Sequence, residues 1–423
     1  MGKTIAEKIL GRASGGKEVE AGDFVTAKID LHYNLEIGLA EVHGKIVEAG
    51  LPDGLPKLAD PKIIAVVLGD HVECHGNSQE VAIYKKSREL VKRYGIEKFY
   101  DVNTGIAHAV IPEEGLGRPG MLVCGKDSHS TTCGAVNALA TPVSAVETAW
   151  IYLTGELWFR VPETIKFVCN GTLEDGVGAK DIFLYAIGKY KPSMAQYKSI
   201  EWKGPAIDAM DMDGRLTLAC QSIELGAKCA PFEPDSRCLE YVMSTPHGKE
   251  KFWPTPADQD AVYEKVYQED FSNLEPQVAL PHGFDVVKPV SEVEGVKVDQ
   301  CNLGSCANSR YEDLAMAARI VKGRKVKARM IFCPGTWKIY KRALEDGILT
   351  NLIDAGVMIM APSCLPCAGR GACIADGEVA IGATTRNFKG RYGSPNAEIY
   401  LASPATAAAS AVTGKITDPR KLL

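Results

Sequence analysis

Short apolar runs bounded by glycine, proline or polar clusters alternate with longer amphipathic stretches along this chain, and that alternation admits few architectures. Ile63 to Leu68, Gly120 to Cys124 and Ile165 to Cys169 read as buried strands, while Ser78 to Tyr94 reads as a helix. The last third is the clearest piece. A strand-like run at Val296 to Leu303 passes through Gly304-Ser305-Cys306-Ala307-Asn308-Ser309 into a helix with Leu314, Ala317, Ala318 and Val321 on one face, ending at Gly323. A strand at Ala328 to Phe332, a helix from Thr336 to about Asp346 and a strand at Val357 to Met360 follow, and βαβ order implies a parallel sheet. Near the end, Ser403 is set to cap an Ala-rich helix with Pro404 at its first position and Gly414 as its stop. The fold class expected is α/β.

With 423 residues, 46% of them hydrophobic, the chain can bury full cores, and its length suggests two to four domains. Changes of character near Val161-Pro162-Glu163, and after the Pro-rich stretch from Trp253 to Pro289, divide it into 1–163, 164–287 and 288–423. A net charge of -5 offers no basic field for a phosphate backbone, so no nucleic-acid partner is expected. The first residues carry charges where a signal peptide carries an apolar run, and no later apolar stretch is long enough to span a bilayer. A cytoplasmic protein with no membrane partner is expected.

Thirteen cysteines, an odd number in a large chain, fit a reducing compartment better than a disulfide framework. Cys306 follows one inferred strand, and Cys364-Leu365-Pro366-Cys367 follows another, so in one parallel sheet all three sulfurs reach the same edge. A helix start beside Cys306 is expected to favour its thiolate. Three thiolates are one short of the four that usually hold an iron-sulfur cluster, which leaves an iron open to act as a Lewis acid. The CxxC pair alone fits structural zinc, a redox pair or two buried thiols equally well; zinc needs a fourth ligand from Cys373, Cys333 or a histidine.

Three histidines lie in polar loops: His71 after Asp70, His108 in Gly105-Ile106-Ala107-His108, and His129 in Asp127-Ser128-His129. A carboxylate beside an imidazole fixes its tautomer and suits a group that passes a proton to a departing hydroxyl. Each histidine taken singly also reads as a structural residue. Arg386 and Arg391 flank Asn387-Phe388-Lys389-Gly390 and could fork onto carboxylates, or simply line a solvated loop.

Taken in order, these pieces resemble the aconitase family, more closely its isopropylmalate isomerase large subunits. The resemblance runs from Thr4-Ile5-Ala6-Glu7-Lys8 to Tyr400-Leu401-Ala402-Ser403-Pro404, through Asp70-His71, Asp127-Ser128-His129, Glu224-Leu225-Gly226-Ala227, Gly304-Ser305-Cys306, the CxxC pair and Arg386-Asn387-Phe388. It implies three α/β/α domains of aconitase type around a central site, the swivel domain being supplied by a separate small subunit. It also implies one 4Fe-4S cluster per subunit on Cys306, Cys364 and Cys367. Asp70 with His71, Asp127 with His108, and Glu224 with His129 would manage the hydroxyl's proton, Ser128 lying beside them, and Arg386 and Arg391 would serve the substrate carboxylates. The implied activity is dehydration and rehydration of a small 2-hydroxy dicarboxylic acid, such as isopropylmalate or a methylated malate. Rival readings are a dehydratase for dimethylmalate, citramalate or maleate, a regulatory protein that senses its cluster, and a zinc-bound structural subunit.

Five positions depart from the family's usual residues: Leu35 for an acid, Gln221 and Thr385 for asparagines, Leu365 for glycine and Ala307 for threonine. Fewer polar partners predict a pocket suited to a substrate with methyl groups or without a third carboxylate.

Overall fold

The computed structural model describes residues 2–71, 78–364 and 366–423. The chain forms two compact units. The first comprises Met1–Val168, Ala195–Gly204 and Gly226–Gln268; the second comprises Cys169–Met194, Pro205–Leu225 and Glu269–Leu423. No described helix is long and apolar enough to cross a membrane.

The first unit is built on a five-stranded parallel sheet in the order Lys98–Tyr100, Ile64–Val67, Leu31–Asn34, Leu122–Gly125, Leu139–Pro142. Its three central strands are buried at every residue, because parallel strands joined by helices are covered on both faces. One apolar cluster packs Leu39, Val42 and Ile46 of the helix Glu36–Glu48 with Ile64 and Val66 and with Tyr84 and Leu90 of the helix Ser78–Tyr94. A second sets Ile5, Ile9 and Leu10 of the helix Ile5–Ala13 with Leu122, Cys124 and Leu139. The expected strands and the Ser78–Tyr94 helix are in place. Beyond expectation, Phe24–Lys28 pairs antiparallel with Glu156–Arg160.

A seven-stranded sheet organises the second unit, in the order Val287–Pro289, Gln277–Ala279, Glu398–Leu401, Val379–Gly382, Gln300–Leu303, Arg329–Phe332, Met358–Ile359. The last five are parallel. Leu314, Ala317, Ala318 and Val321 of the helix Tyr311–Val321 are buried in one cluster with the alanines of the helix Pro404–Thr413. Ser403 caps that last helix by accepting from Thr406 N, and Gly414 ends it at φ +76°.

In both sheets the strand order reverses at one place. The chain builds outward one way from Leu31–Asn34 and then the other way from Leu122–Gly125; in the second unit the reversal falls between Gln300–Leu303 and Val379–Gly382. Connections leave the sheet in opposite directions there, opening a crevice beyond the carboxyl ends where α/β proteins bind ligands. The residues just past those four ends are Leu35 and Glu36, Lys126 and Asp127, Gly304 to Cys306, and Ala383 to Arg386. Two glycines permit the loops to close in. A Cβ on Gly69 would lie 2.2 Å from Gly105 O, and one on Gly304, at φ +120°, would lie 2.4 Å from Cys333 O.

Candidate active site

Past the carboxyl ends of the first unit's strands lie Asp70 and His71, His108 in the first turn of the helix Ala107–Glu113, and Asp127, Ser128 and His129 at the start of the 3-10 segment Ser128–Val136. His108 is buried with both ring nitrogens engaged. Its Nδ1 lies 2.9 Å from Tyr33 Oη and its Nε2 2.7 Å from Asp127 Oδ1. Burial pushes the Tyr33 phenol well above its ordinary pKa, so it keeps its proton and can donate to Nδ1, which leaves Nε2–H to donate to Asp127. Burial alone would raise Asp127, but His108 and His129 outweigh it and hold the carboxylate well below its usual range. Asp127 also accepts from His129 N at 2.9 Å, capping the turn, and Ser128 Oγ lies 3.4 Å from His129 Nδ1.

His71 acts on the Asp70 carboxylate beside it, as paired in the sequence reading, and has a second acid as partner. Its Nδ1 is bonded to the carboxylate of Glu36, which is 1% exposed, while Asp70 accepts from Ala107 N at 2.8 Å and ties its loop to the one bearing His108. The acid missing at Leu35 is thus supplied one residue later, at the first position of the helix. Burial and the nearby Glu36 carboxylate raise Asp70 from 3.8 to about 7, so its carboxyl holds or releases a proton near neutrality.

In the second unit Cys364 hydrogen-bonds with both Cys306 and Cys367, so the three thiols meet at the sheet's carboxyl edge. Arg391 Nη2 reaches Cys367 Sγ at 3.4 Å, and Thr385 Oγ1 lies 3.3 Å from the same sulfur. The expected thiolate at Cys306 is overturned. The adjoining helix begins only at Tyr311, and hydrogen bonds with Cys220 and Cys364, together with burial, push the Cys306 thiol well above its ordinary value. Cys367 is the acidic sulfur, held low by its hydrogen bond with Cys364 and by Arg391 and Thr385.

Beside the thiols, Arg386 Nε donates to Glu224 Oε1 at 2.8 Å. The two thiols considered as a fourth zinc ligand are turned to backbone carbonyls: Cys333 to Ala361 and Ser363, and the exposed Cys373 to Gly369. Lys180, fully buried, donates to Gln221 Oε1 and to Thr384 O, the latter at 2.8 Å, and burial lowers its ammonium to about 8. Of the departures from the family pattern, Thr385 keeps a polar contact with Cys367, Gln221 takes Lys180, and Leu365 lies outside the described residues. Ala307 O accepts from Thr217 Oγ1 and Arg310 Nη1, which fixes the loop through its backbone.

The donor set fits an iron-sulfur cluster. Cys364, half-buried, adjoins the buried Cys306 on one side and the buried Cys367 on the other, none of the described cysteines is in a disulfide, and a guanidinium offsets thiolate charge. Two buried donors nearby, Gln221 Nε2 and Arg391 Nε, have no hydrogen-bond partner among the described residues. Sequence reasoning missed Tyr33, Glu36, Lys180 and Cys220. Of these only Glu36 carried a signal, a carboxylate two residues past the end of a buried strand.

The sequence model of the aconitase family (aconitate hydratase) matches residues 48–294 and 284–414. The large subunit 1 of 3-isopropylmalate dehydratase from Methanopyrus kandleri is 44% identical over 427 residues, covering 100% of both chains. The probable 3-isopropylmalate dehydratase large subunit of Methanothermobacter thermautotrophicus is 42% identical over 426 residues, again covering 100% of both. Among solved structures, the holo-form of aconitase X from Thermococcus kodakaraensis has a TM-score of 0.50 at 12% identity, covering 90% of this chain and 88% of that one, a likeness of fold alone.

Proposed function

This chain belongs to the aconitase family, and from that premise we propose that it is the large subunit of an iron-sulfur hydro-lyase that dehydrates and rehydrates 3-isopropylmalate or a close 2-hydroxy dicarboxylic acid. The observation that carries the proposal is the meeting of Cys306, Cys364 and Cys367 at a sheet edge, with Arg391 on one sulfur. A small subunit bearing the swivel domain is the proposed partner, since the relatives are named large subunits and this chain spans their full length. The cytoplasm is its proposed compartment.

A 4Fe-4S cluster on Cys306, Cys364 and Cys367 would supply a Lewis-acidic iron for the substrate's hydroxyl and carboxylate. The remaining work falls to side chains. Asp70, His71, His108, Asp127, Ser128, His129 and Glu224 form the proposed proton-handling set. In it, Tyr33 and Asp127 hold the His108 ring from both sides and so fix its tautomer and orientation. Arg386, oriented by Glu224, and Arg391 are proposed to bind carboxylates. Gln221 Nε2, a donor without a partner among the described residues, is a further candidate for the same task.

Anaerobic co-expression with the small subunit, followed by assay on 3-isopropylmalate, 2,3-dimethylmalate, citramalate and citrate, tests the reading. Turnover of 3-isopropylmalate or a methylated malate with a visible iron-sulfur absorption is expected. A colourless protein that binds zinc and turns over none of the four acids would overturn it.

A further inference from the structure

Four helices of the second unit, Ala179–Tyr190, Met212–Gln221, Tyr311–Val321 and Pro404–Thr413, begin around one cavity of about 190 Å³. Asp211, Asp213, Glu312, Asp313 and Asn308 line it, and none of them belongs to the proton-handling set or the thiol site. Its charges are unmatched. Among the described residues none of the four carboxylates forms an ion pair: Lys180 sends its ammonium elsewhere, to Gln221 and Thr384 O, while Arg310 and Arg342 act on the acids only from beyond ion-pair distance. Helix starts take up one oxygen of Asp211, from Gly214 N at 2.7 Å, and one of Asp213, from Glu312 N at 3.1 Å; the Glu312 carboxylate accepts nothing among the described residues. Burial, and then the crowding of acids, raises Asp213, Glu312 and Asp313, the last to about 7.

Asn308 is an independent sign of a guest. It is 3% exposed, and its Nδ2 donates to Asp313 Oδ1 at 3.1 Å, which leaves its Oδ1 without a donor among the described residues. A buried amide oxygen in that state is costly unless something donates to it. What lacks a partner here is negative or an acceptor, so the missing guest is a cationic donor. A bare metal ion fits poorly, because among the described residues no three carboxylate oxygens of this cavity lie within 4.8 Å of one another. The space also continues into a hollow of about 270 Å³ that shares Val177, Gly178 and Asp211 with it and is walled by Leu173, Ala206, Ala209 and Met210. Such a wall suits a carbon chain.

We propose that this cavity binds a short alkylammonium, its charged nitrogen among Asp213, Glu312, Asp313 and Asn308 Oδ1 and its carbon chain along the apolar hollow. The site stands independently of the iron-sulfur reading.

Isothermal titration calorimetry on the anaerobically prepared two-subunit holoenzyme at pH 8, where the acids are ionised, tests it with n-butylamine as the probe. Binding with a Kd of about 1 mM or tighter is expected, and n-butanol, of the same shape without the charge, should bind at least about tenfold more weakly. Glu312→Gln, at an exposed position that the fold does not need, is expected to weaken butylamine about threefold, and Asp213→Asn about tenfold. Norvaline adds a carboxylate to the same carbon chain and decides the source: tighter binding than butylamine assigns an amino acid, weaker binding a simple amine, and both uphold the site. Butanol binding as well as butylamine, or butylamine affinity unchanged in both variants, overturns the proposal. So does binding of magnesium chloride at this place without binding of the amine, which would make it an ion site.

Discussion

The histidine site of the first unit and the thiol site of the second occupy corresponding places, each at the carboxyl edge of a parallel sheet where strand order reverses. They are completed differently. In the first, charged groups answer one another: Asp127 with His108 and His129, Glu36 with His71, Asp70 with Ala107 N. In the second, like groups face like: Cys364 touches Cys306 and Cys367, and Cys220 touches Cys306, with Arg391 and Lys180 as the nearby cations. A cluster of thiols gains little from its own hydrogen bonds, because sulfur is a weak donor and acceptor. One unit therefore carries a network whose charges are matched from within, and the other a group of thiols that its own contacts satisfy poorly.

Breaking the thiol site is expected to have the largest effect. Cys364→Ala removes the sulfur that bridges the other two, and should abolish the visible absorption and lower kcat/KM by about 10³-fold or more, the scale of a lost Lewis acid. The fold should survive, since Cys364 is only half-buried at a loop. Retained absorption and activity would move the cluster elsewhere. Asp127→Asn, in the other unit, is expected to lower kcat by about 10²-fold with the cluster spectrum unchanged, because it removes the carboxylate that orients His108. A loss of absorption in that variant would erase the distinction between the two sites.

How legible each site was follows from where its residues sit. Cys306, Asp70 and Asp127 follow buried strands, where a polar or reactive residue contrasts with its surroundings, and parallel strand order carries them, with Cys364, Cys367 and His108 after edge strands, to the carboxyl ends of the sheets. The helix capped by Ser403 and closed by Gly414 was equally plain, because both signals act through local backbone geometry. Tyr33 and Cys220 lie inside a strand and a helix and look like ordinary core residues in one dimension, while Lys180 looks like a surface cation; only packing gives them a partner. Glu36 begins the helix Glu36–Glu48, and its bond to His71 is made across 35 positions of sequence. The expected thiolate at Cys306 failed because the loop after it runs four residues before the helix begins, too far for the helix terminus to act, while two thiols press directly on it.

A smaller effect is expected where a charge only orients another charge. Glu224→Gln keeps the side chain's shape but gives up the charge-assisted bond to Arg386, worth about 1.5–3 kcal/mol. If Arg386 binds a substrate carboxylate, KM for the diacid should rise about tenfold with kcat changed much less. An unchanged KM with a reduced kcat would instead assign Glu224 to proton transfer and make it a counterpart of Asp127.

The smallest effect expected is on stability, and it measures how closely the first unit's charges are matched. Asp70 titrates near 3.8 when unfolded and at about 7 in the folded chain, raised by burial and by Glu36. Between those values the folded state binds the proton more tightly, so this carboxyl's contribution to stability falls as pH rises from about 4 to 7, and the loss is complete above about 7. Asp70→Asn removes the titration, at the cost of weakening the bond from Ala107 N. The difference in Tm, variant minus wild type, should therefore grow across that window by on the order of a few degrees and level off above it. A difference that stays flat from pH 4 to 8 would mean that His71 and His108 already neutralise Asp70 in the folded chain, and that the histidine site carries no carboxyl able to hold a proton at neutral pH.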